Sequence, residues 1–578
     1  MRTYRLLGLS LAGLLACTTS QQPTAAVSLA APVPAVAPVV APKAMVVSAH
    51  PEATRIGVEI LQKGGNAYDA AVAVQFALAV ALPMAGNIGG GGFLLYRGAD
   101  GTEGALDFRE TAPAAASRDM YLDAQGNLRP NASKLGHLAV GVPGTVAGMV
   151  EVHRKLGKLP WAALVQPAVD LTHSLKLTKR EADSLNRQRN TFLKFPSSAA
   201  SAYVRPDGAT RPWQAGDVIQ HSQLAATLTR IRDQGRAGFY EGQTADLLVA
   251  EMQRGRGLIT KQDLLNYQPK WRAPLHGKYR GLDVLAFPPP SSGGVALLQL
   301  LQMLEPYNLQ KAGWHTPQAT HWLTEAERRV YADRATYLGD PDFGRVPVAQ
   351  LLDSQYNRQR MATVQPHRAT PSAQVAAGAG LPGYETDQTT HYSIVDAQGN
   401  AVSCTTTLNG AYGSKVVVAG AGFLLNNEMD DFSAKPGAPN AYGLVGGAAN
   451  AIAPGKRMLS SMTPTILSRN GKLALVVGTP GGSTIITSVL QGIVGVVDYG
   501  LNAQQAVAAP RLHHQWLPDR IDVEEGALQP AAQDSLRARG YTLNPRAPWG
   551  RMEIIRVRPD GQLEGGADPR GDDTAAGY

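Results

Sequence analysis

Asp387-Gln388-Thr389-Thr390-His391-Tyr392-Ser393-Ile394-Val395-Asp396 lies deep inside the chain, yet it reads as the start of a protein. A Thr hydroxyl is a weak nucleophile without a base beside it. Cutting the bond before the Thr frees an α-amine, whose pKa of roughly 8 suits proton transfer near working pH better than a Lys does. Cleavage between Gln388 and Thr389 therefore puts nucleophile and base on one residue. The competing reading of this pair alone is a surface turn entering a strand, and the residues around it decide between the two.

Downstream, His391 to Val395 and Ala401 to Thr405 read as strands joined by Asp396-Ala397-Gln398-Gly399-Asn400, a hairpin turn signal. Alternation predicts Thr405, Thr407 and Asn409 on one face of the partner strand. A Thr hydroxyl there can orient the nucleophile; the alternative is a polar, solvent-facing strand face. An apolar strand, Leu473 to Val477, then runs into Thr479-Pro480-Gly481-Gly482-Ser483 and a helix from about Thr484 to Val497. Backbone N–H groups at such a junction suit a developing oxyanion, and equally a plain turn. Asn426-Asn427-Glu428-Met429-Asp430-Asp431-Phe432 gathers carboxylates and amides that suit an ammonium. A plain acidic turn or a Ca²⁺ loop are the alternatives, and the EF-hand spacing is absent. His513-His514 have no third ligand spacing and read as structural, so no metal or cofactor is expected.

Upstream, Pro51 to Leu82 reads as two Ala-rich helices broken at Gly64-Gly65-Asn66. Gly86-Asn87-Ile88-Gly89-Gly90-Gly91-Gly92 precedes a strand, Phe93 to Tyr96. A dinucleotide fold has the opposite order, and no Gly-Lys-Ser/Thr follows, so neither that site nor a P-loop is present. The glycines point to close backbone packing near a site. From about 145 to 380 the chain reads as mainly helical with loops, including Val146 to Leu156, Trp161 to Leu175 and Thr316 to Tyr337. Pro288 to Gly294 is a rigid turn before another helix, and the polar segment from Gln365 to Gln388 is an arm leading to the proposed cut.

The 578 residues, 44% hydrophobic and 17% charged, exceed one small domain and supply a large core. The net charge of +8 is dispersed; its densest run, Lys176 to Arg189, is broken by Glu181 and Asp183 and reads as a solvated helix face. No aromatic-interleaved basic stripe occurs, and no nucleic-acid partner is expected. Arg2 and Arg5 precede an apolar run from Leu6 to Leu15, too short for a bilayer and shaped like a signal peptide. Leu14-Leu15-Ala16-Cys17 resembles a bacterial lipobox, which makes Cys17 the lipidated first residue after removal of 1–17's leader portion; an ordinary signal peptide cut nearby is the alternative. Membrane contact is expected only through that lipid. Residues 18–43 read as an Ala/Pro-rich tether, with folding from near Ala44. The other cysteine, Cys404, sits in an apolar strand and reads as buried, leaving no intrachain disulfide.

In this order the pieces resemble the γ-glutamyltranspeptidase family over nearly all of Ala44 to Tyr578. The most specific are Gly86 to Phe93, Asp107-Phe108-Arg109-Glu110, Gln388 to Ser393, Leu425 to Phe432, Ser460-Ser461-Met462-Thr463-Pro464-Thr465 and Pro480-Gly481-Gly482-Ser483. The resemblance implies an α+β N-terminal-nucleophile hydrolase with a four-layer αββα sandwich. A large subunit, 44–388, and a small subunit, 389–578, would build it jointly after the precursor cuts itself. Thr389 would be the nucleophile and its amine the base, Thr407 a hydrogen-bonding support, and Gly481 and Gly482 the oxyanion-hole donors. Arg109, Ser460 and Ser461 would hold an α-carboxylate, and Asn409, Glu428 and Asp431 an α-ammonium. Fixing both ends places the γ-carbonyl at Thr389. Pro436 to Ala449 matches a loop that lids the site in some members, with Tyr442 at its aromatic position.

The activity so implied is ping-pong transfer and hydrolysis of glutathione and other γ-glutamyl amides through a γ-glutamyl-Thr389 ester. Amino acids, short peptides or water would be the acceptors, and the bacterial periplasm the location. Two other readings stand beside it: an acylase of the same family acting on another acyl amide, and a non-catalytic surface lipoprotein. Intact Arg109, Asp431 and Ser460 weigh against the first, and the intact nucleophile and oxyanion loop against the second.

Overall fold

The computed structural model describes residues 35–208, 210–375, 389–435 and 447–578. The readings of Cys17, of the tether up to residue 34, of Gln388 and of Tyr442 lie outside the described residues. The strands that matter are β1 (Val39–Ala41), β2 (Met45–Ser48), β3 (Gly91–Arg97), β4 (Glu103–Asp107), β5 (Lys270–Arg272), β6 (Leu275–Tyr279), β7 (Leu282–Ala286), β8 (Thr389–Val395) and β9 (Ala401–Thr407). They continue with β10 (Thr465–Arg469), β11 (Lys472–Gly478), β12 (Glu553–Val557), β13 (Leu563–Ala567) and β14 (Thr574–Gly577). One seven-stranded sheet runs β14-β2-β8-β9-β3-β4-β5, and a second runs β1-β13-β12-β11-β10-β7-β6.

The hairpin β8–β9 occupies the middle of the first sheet, flanked by β2 and β3. Its turn is tied by Asp396, whose Oδ1 accepts from the backbone N–H groups of Gln398 (3.0 Å) and Asn400 (2.9 Å). The resulting register sets Thr389 opposite Thr407 and His391 opposite Thr405. Residues two apart share a face, so Thr389, His391 and Ser393 look one way with Ser403, Thr405 and Thr407. That face meets the second sheet: the Ser393 hydroxyl donates to the Glu553 carbonyl (3.1 Å), and the Ser403 hydroxyl to the Val477 carbonyl (3.1 Å). The polar strand face is therefore sealed between two sheets and does not face solvent. Asn409 does not continue the alternation; the strand ends at Thr407, and Asn409 turns off at φ +69°.

The other face of β8–β9 lies beneath α2 (Ala67–Ala81), while α1 (Pro51–Gln62) covers the neighbouring β2 and β14. Alanines let α2 sit close on the sheet, and all of its residues are buried. Asn66 and Asp69 close its start with a capping box, and the N–H of Ala67 also donates to Asp396 Oδ2 at 2.9 Å. The outer face of the second sheet is covered by α3 (Gly293–Leu304) and α5 (Thr484–Val497), with α4 (Pro317–Tyr337) packed on α3. The layers are helix, sheet, sheet, helix. Among the described residues no helix is long and apolar enough to cross a membrane.

Three features depart from the sequence reading. Folding begins before Ala44, because Val39, Val40 and Ala41 pair with Gly565, Glu564 and Leu563 at a sheet edge. Short β-favouring runs find partners even inside a Pro-rich context. The stretch read as mainly helical contains β5, β6 and β7, with a hairpin turned by Arg280 and Gly281 at positive φ. The helix that begins at Trp161 stops at Leu171 rather than Leu175.

The glycine run brings backbones together as its reversed order implied. A Cβ at Gly90 would be driven into the Thr407 carbonyl, beside the hydroxyl that faces Thr389. Gly90→Ala is expected to cost about 1–3 kcal/mol through this overpacking, read as a lower urea midpoint. Gly344→Ala, which has open space around it, is the control expected to leave the midpoint in place.

Candidate active site

Thr389 opens β8 and is only 6% exposed. Its Oγ1 lies 3.5 Å from Thr407 Oγ1, which accepts the Asn409 N–H at 2.7 Å. Both hydroxyls stand on the wall of a cavity of about 200 Å³. The junction from β11 to α5 reaches the same wall. Gly481 and Gly482 have φ of +141° and +57°, conformations that favour glycine. The N–H of Thr484 folds back to the Gly481 carbonyl at 3.1 Å. Gly482 lines the cavity, whereas Gly481 does not.

Arg109 enters from the end of β4, its backbone N–H held by Asp107 Oδ1 (3.0 Å) and its carbonyl by the Tyr267 hydroxyl (2.8 Å). Its buried guanidinium pairs with Glu428 and Asp431 and lies 3.8 Å from the Glu110 carboxyl. It also donates to the carbonyls of Met458 (3.4 Å) and Leu459 (3.3 Å), just ahead of the two serines. Glu428 and Asp431 bound one 3₁₀ turn. Asn426 anchors that turn by accepting from the N–H groups of Glu428 (3.0 Å) and Gly141 (2.9 Å). The Asn409 side chain joins by donating to the Asn427 carbonyl at 2.9 Å.

Three carboxyls thus surround one guanidinium, and they do not all ionise together. Burial pushes Glu428 well above the usual carboxylate range, Asp431 up to about 6 and Glu110 up to about 7, with Arg109 opposing each rise. Neither Glu110 oxygen meets a donor at hydrogen-bonding distance among the described residues.

Ser460 and Ser461 line the same cavity. The Ser460 hydroxyl accepts the Met462 N–H at 3.2 Å, and Ser461 Oγ accepts from Arg334 at 2.9 Å. The cavity therefore gathers Thr389, Thr407, Asn409, Arg109, Glu428, Asp431, Ser460, Ser461 and Gly482 from segments hundreds of residues apart. Arg334 was not singled out from the sequence. Its one signal is that α4 carries charges around several sides, at Glu325, Glu327, Arg328, Arg329, Asp333 and Arg334, all buried, where a surface helix keeps one apolar stripe. His513 and His514 stand apart from this cavity; His513 bonds Thr487 and Gln515 at 2.8 and 2.9 Å, and burial lowers both imidazoles to about 4.

The γ-glutamyltranspeptidase family model matches residues 53–578. The glutathione hydrolase proenzyme of Escherichia coli strain K12 is 47% identical over 543 residues, covering 94% of this chain and 93% of that protein. The glutathione hydrolase proenzyme of Pseudomonas aeruginosa is 49% identical over 532 residues, covering 89% of this chain and 91% of that protein. Among solved structures, a cephalosporin acylase from Bacillus halodurans superposes with a TM-score of 0.82 at 27% identity, covering 95% of this chain and 98% of that one.

The acidic cluster sets a pH dependence. A carboxyl whose pKa rises on folding keeps its proton at a pH where the unfolded chain has lost it. For Glu110 the folded state therefore loses stability as pH climbs from 4.5 towards about 7. Glu110→Gln is expected to flatten that part of a urea-midpoint profile, and an unaltered slope would show that the cluster's proton sits elsewhere.

Proposed function

This chain belongs to the γ-glutamyltranspeptidase family, with the αββα fold of N-terminal-nucleophile hydrolases, and we infer from this premise that it is the precursor of a self-cleaving enzyme. The product hydrolyses and transfers γ-glutamyl groups, with glutathione and related γ-glutamyl amides as donors. The observation that carries the reading is a buried Thr at the start of a central strand, 3.5 Å from a second Thr hydroxyl, on the wall of a cavity that Arg109, Glu428 and Asp431 also line.

In this reading the cut falls between Gln388 and Thr389, so that the large subunit ends at Gln388 and the small one begins at Thr389. The freed α-amine of Thr389 takes the hydroxyl proton as Oγ1 attacks the γ-carbonyl. Thr407 orients the hydroxyl, and the N–H groups of Gly481 and Gly482 receive the charge that develops on the carbonyl oxygen. The amine then protonates the leaving nitrogen, leaving a γ-glutamyl ester on Thr389. Water or an amino-acid or peptide amine attacks the ester and restores the enzyme.

A zwitterionic head group fits these charges by exchanging partners. Its ammonium takes Glu428 and Asp431, with Asn409, and its carboxylate takes the Arg109 guanidinium that those carboxylates otherwise engage, with Ser460 and Ser461. Opposite charges brought into a buried ion pair replace the contacts they break. The likeness to a cephalosporin acylase keeps a second reading, a different acyl amide as donor. A cavity end built of paired charges favours an amino-acid head group instead. Export through a signal peptide, lipidation at Cys17 and covering of the cavity by a segment bearing Tyr442 complete the reading, and rest on the sequence.

On a denaturing gel the wild-type protein is expected to run as two fragments, and Thr389→Ala as one chain that releases no chromophore from a γ-glutamyl anilide. An uncut wild-type protein under folding conditions would falsify the autocleavage. Asp431→Asn is expected to raise the donor KM by ~10–100-fold, the worth of one hydrogen bond to a charged group. Addition of glycylglycine should accelerate release by the processed protein if acceptors compete with water.

A further inference from the structure

Arg334 projects from α4 and is 5% exposed. Its Nε donates to Ser292 Oγ at 2.8 Å, and its Nη2 donates to Ser461 Oγ at 2.9 Å. Ser292 in turn holds the next residue of the turn twice, since its N–H and its hydroxyl each donate to the Ser460 carbonyl at 2.7 Å. One guanidinium thus grips both sides of the Ser460–Ser461 peptide, directly at Ser461 and through Ser292 at Ser460.

Hydrogen direction gives this clamp a chemical meaning. A guanidinium only donates, and so does a backbone N–H. Ser461 Oγ must therefore accept from Arg334, and Ser460 Oγ must accept from the Met462 N–H. Each serine has one hydroxyl hydrogen, and neither can spend it on the group that holds it. Both residues line the cavity, so two O–H donors stand beside Arg109 at one end of it. Two free O–H donors together with the Arg109 guanidinium suit an anion. We infer that Arg334 is the positioning residue of the carboxylate-binding pole, and that it makes the enzyme select donors carrying an α-carboxylate.

The inference rests on the γ-glutamyl reading. Arg334 also borders the cavity, but the role inferred for it is to set the position and donor sense of Ser461 and Ser460, with no contact to substrate assigned. A purely architectural Arg334 would lower activity toward every donor alike. A positioning Arg334 changes the preference between donors, and that preference is the quantity to measure.

The experiment compares kcat/KM for γ-glutamyl-p-nitroanilide with kcat/KM for 4-aminobutanoyl-p-nitroanilide, which lacks the α-carboxylate. Arg334→Gln is expected to lower the first by ~10–100-fold, mainly through KM, the loss tied to charge-assisted hydrogen bonds. The second should stay within about twofold, the scatter of a site that loses no contact with this donor. Arg334→Lys, which keeps the charge but not the fork, should recover part of the preference. Where the second donor is too slow to follow, competitive inhibition by glutamate and by 4-aminobutyrate gives the same ratio. If Arg334→Gln remains uncut on a gel, Ser292→Ala and Arg334→Lys are read instead, each expected to narrow the preference in the same direction. Wild-type preference in the processed variants, or an equal fall for both donors, overturns the inference. Failure of the wild-type protein to release chromophore from the γ-glutamyl donor overturns the functional reading itself and is seen before any variant is made.

Discussion

The register of one hairpin governs the rest. Thr389 meets Thr407 because Asp396 closes the turn between β8 and β9 at a fixed length. Side chains alternate along a strand, so a slip of one residue would rotate Thr389 onto the α2 face and bring Thr390 into its place. Such a slip is resisted from both sides. The hydroxyls of Ser393 and Ser403 donate to carbonyls of the second sheet, and Tyr392, Ile394 and Cys404 belong to the core under α2. The Ala67 N–H bound to Asp396 ties the same turn to the start of α2. A reaction at the head of the strand is thus controlled by a carboxylate at its far end.

The second governing fact is the balance of charge in a buried place. Arg109 alone cannot neutralise Glu110, Glu428 and Asp431, and burial keeps protons on some of them. Replacing a buried ion pair with apolar side chains is often neutral or stabilising, so stability gives no reason to keep this one. A site that must recognise both a positive and a negative group does. Its two poles come from different parts of the chain. The acidic turn is anchored by Asn426 to the glycine run, whereas the serine turn is clamped to α4.

Much of this was legible in the sequence, and the reason differs by element. The hairpin, the Gly481-Gly482 junction and α5 announced themselves because turn chemistry and periodicity are local. The orientation of the Thr405–Thr407 face was not local. A polar strand face looks the same in sequence whether water or another sheet covers it, and the covering strands lie near residues 477 and 553. β6 was hidden because an edge strand with exposed His276 and Lys278 lacks an apolar run. Arg334 was hidden because its meaning lies in Ser292 and Ser461, distant residues that only packing brings to it.

The order of strands carries one more consequence. The first sheet takes β2, β3, β4 and β5 from before Thr389 and β8, β9 and β14 from after it. The second takes β1, β6 and β7 from before and β10 to β13 from after. While the chain is whole, this weaving is an ordinary intramolecular topology. Once it is cut, the same weaving joins two molecules that have no covalent path between them. Refolding then becomes a second-order event between partners that each lack half of two sheets, whereas unfolding remains first-order. The mature protein is therefore held by the height of its unfolding barrier more than by a reversible equilibrium, and its folding has a single opportunity, before its own chemistry divides it.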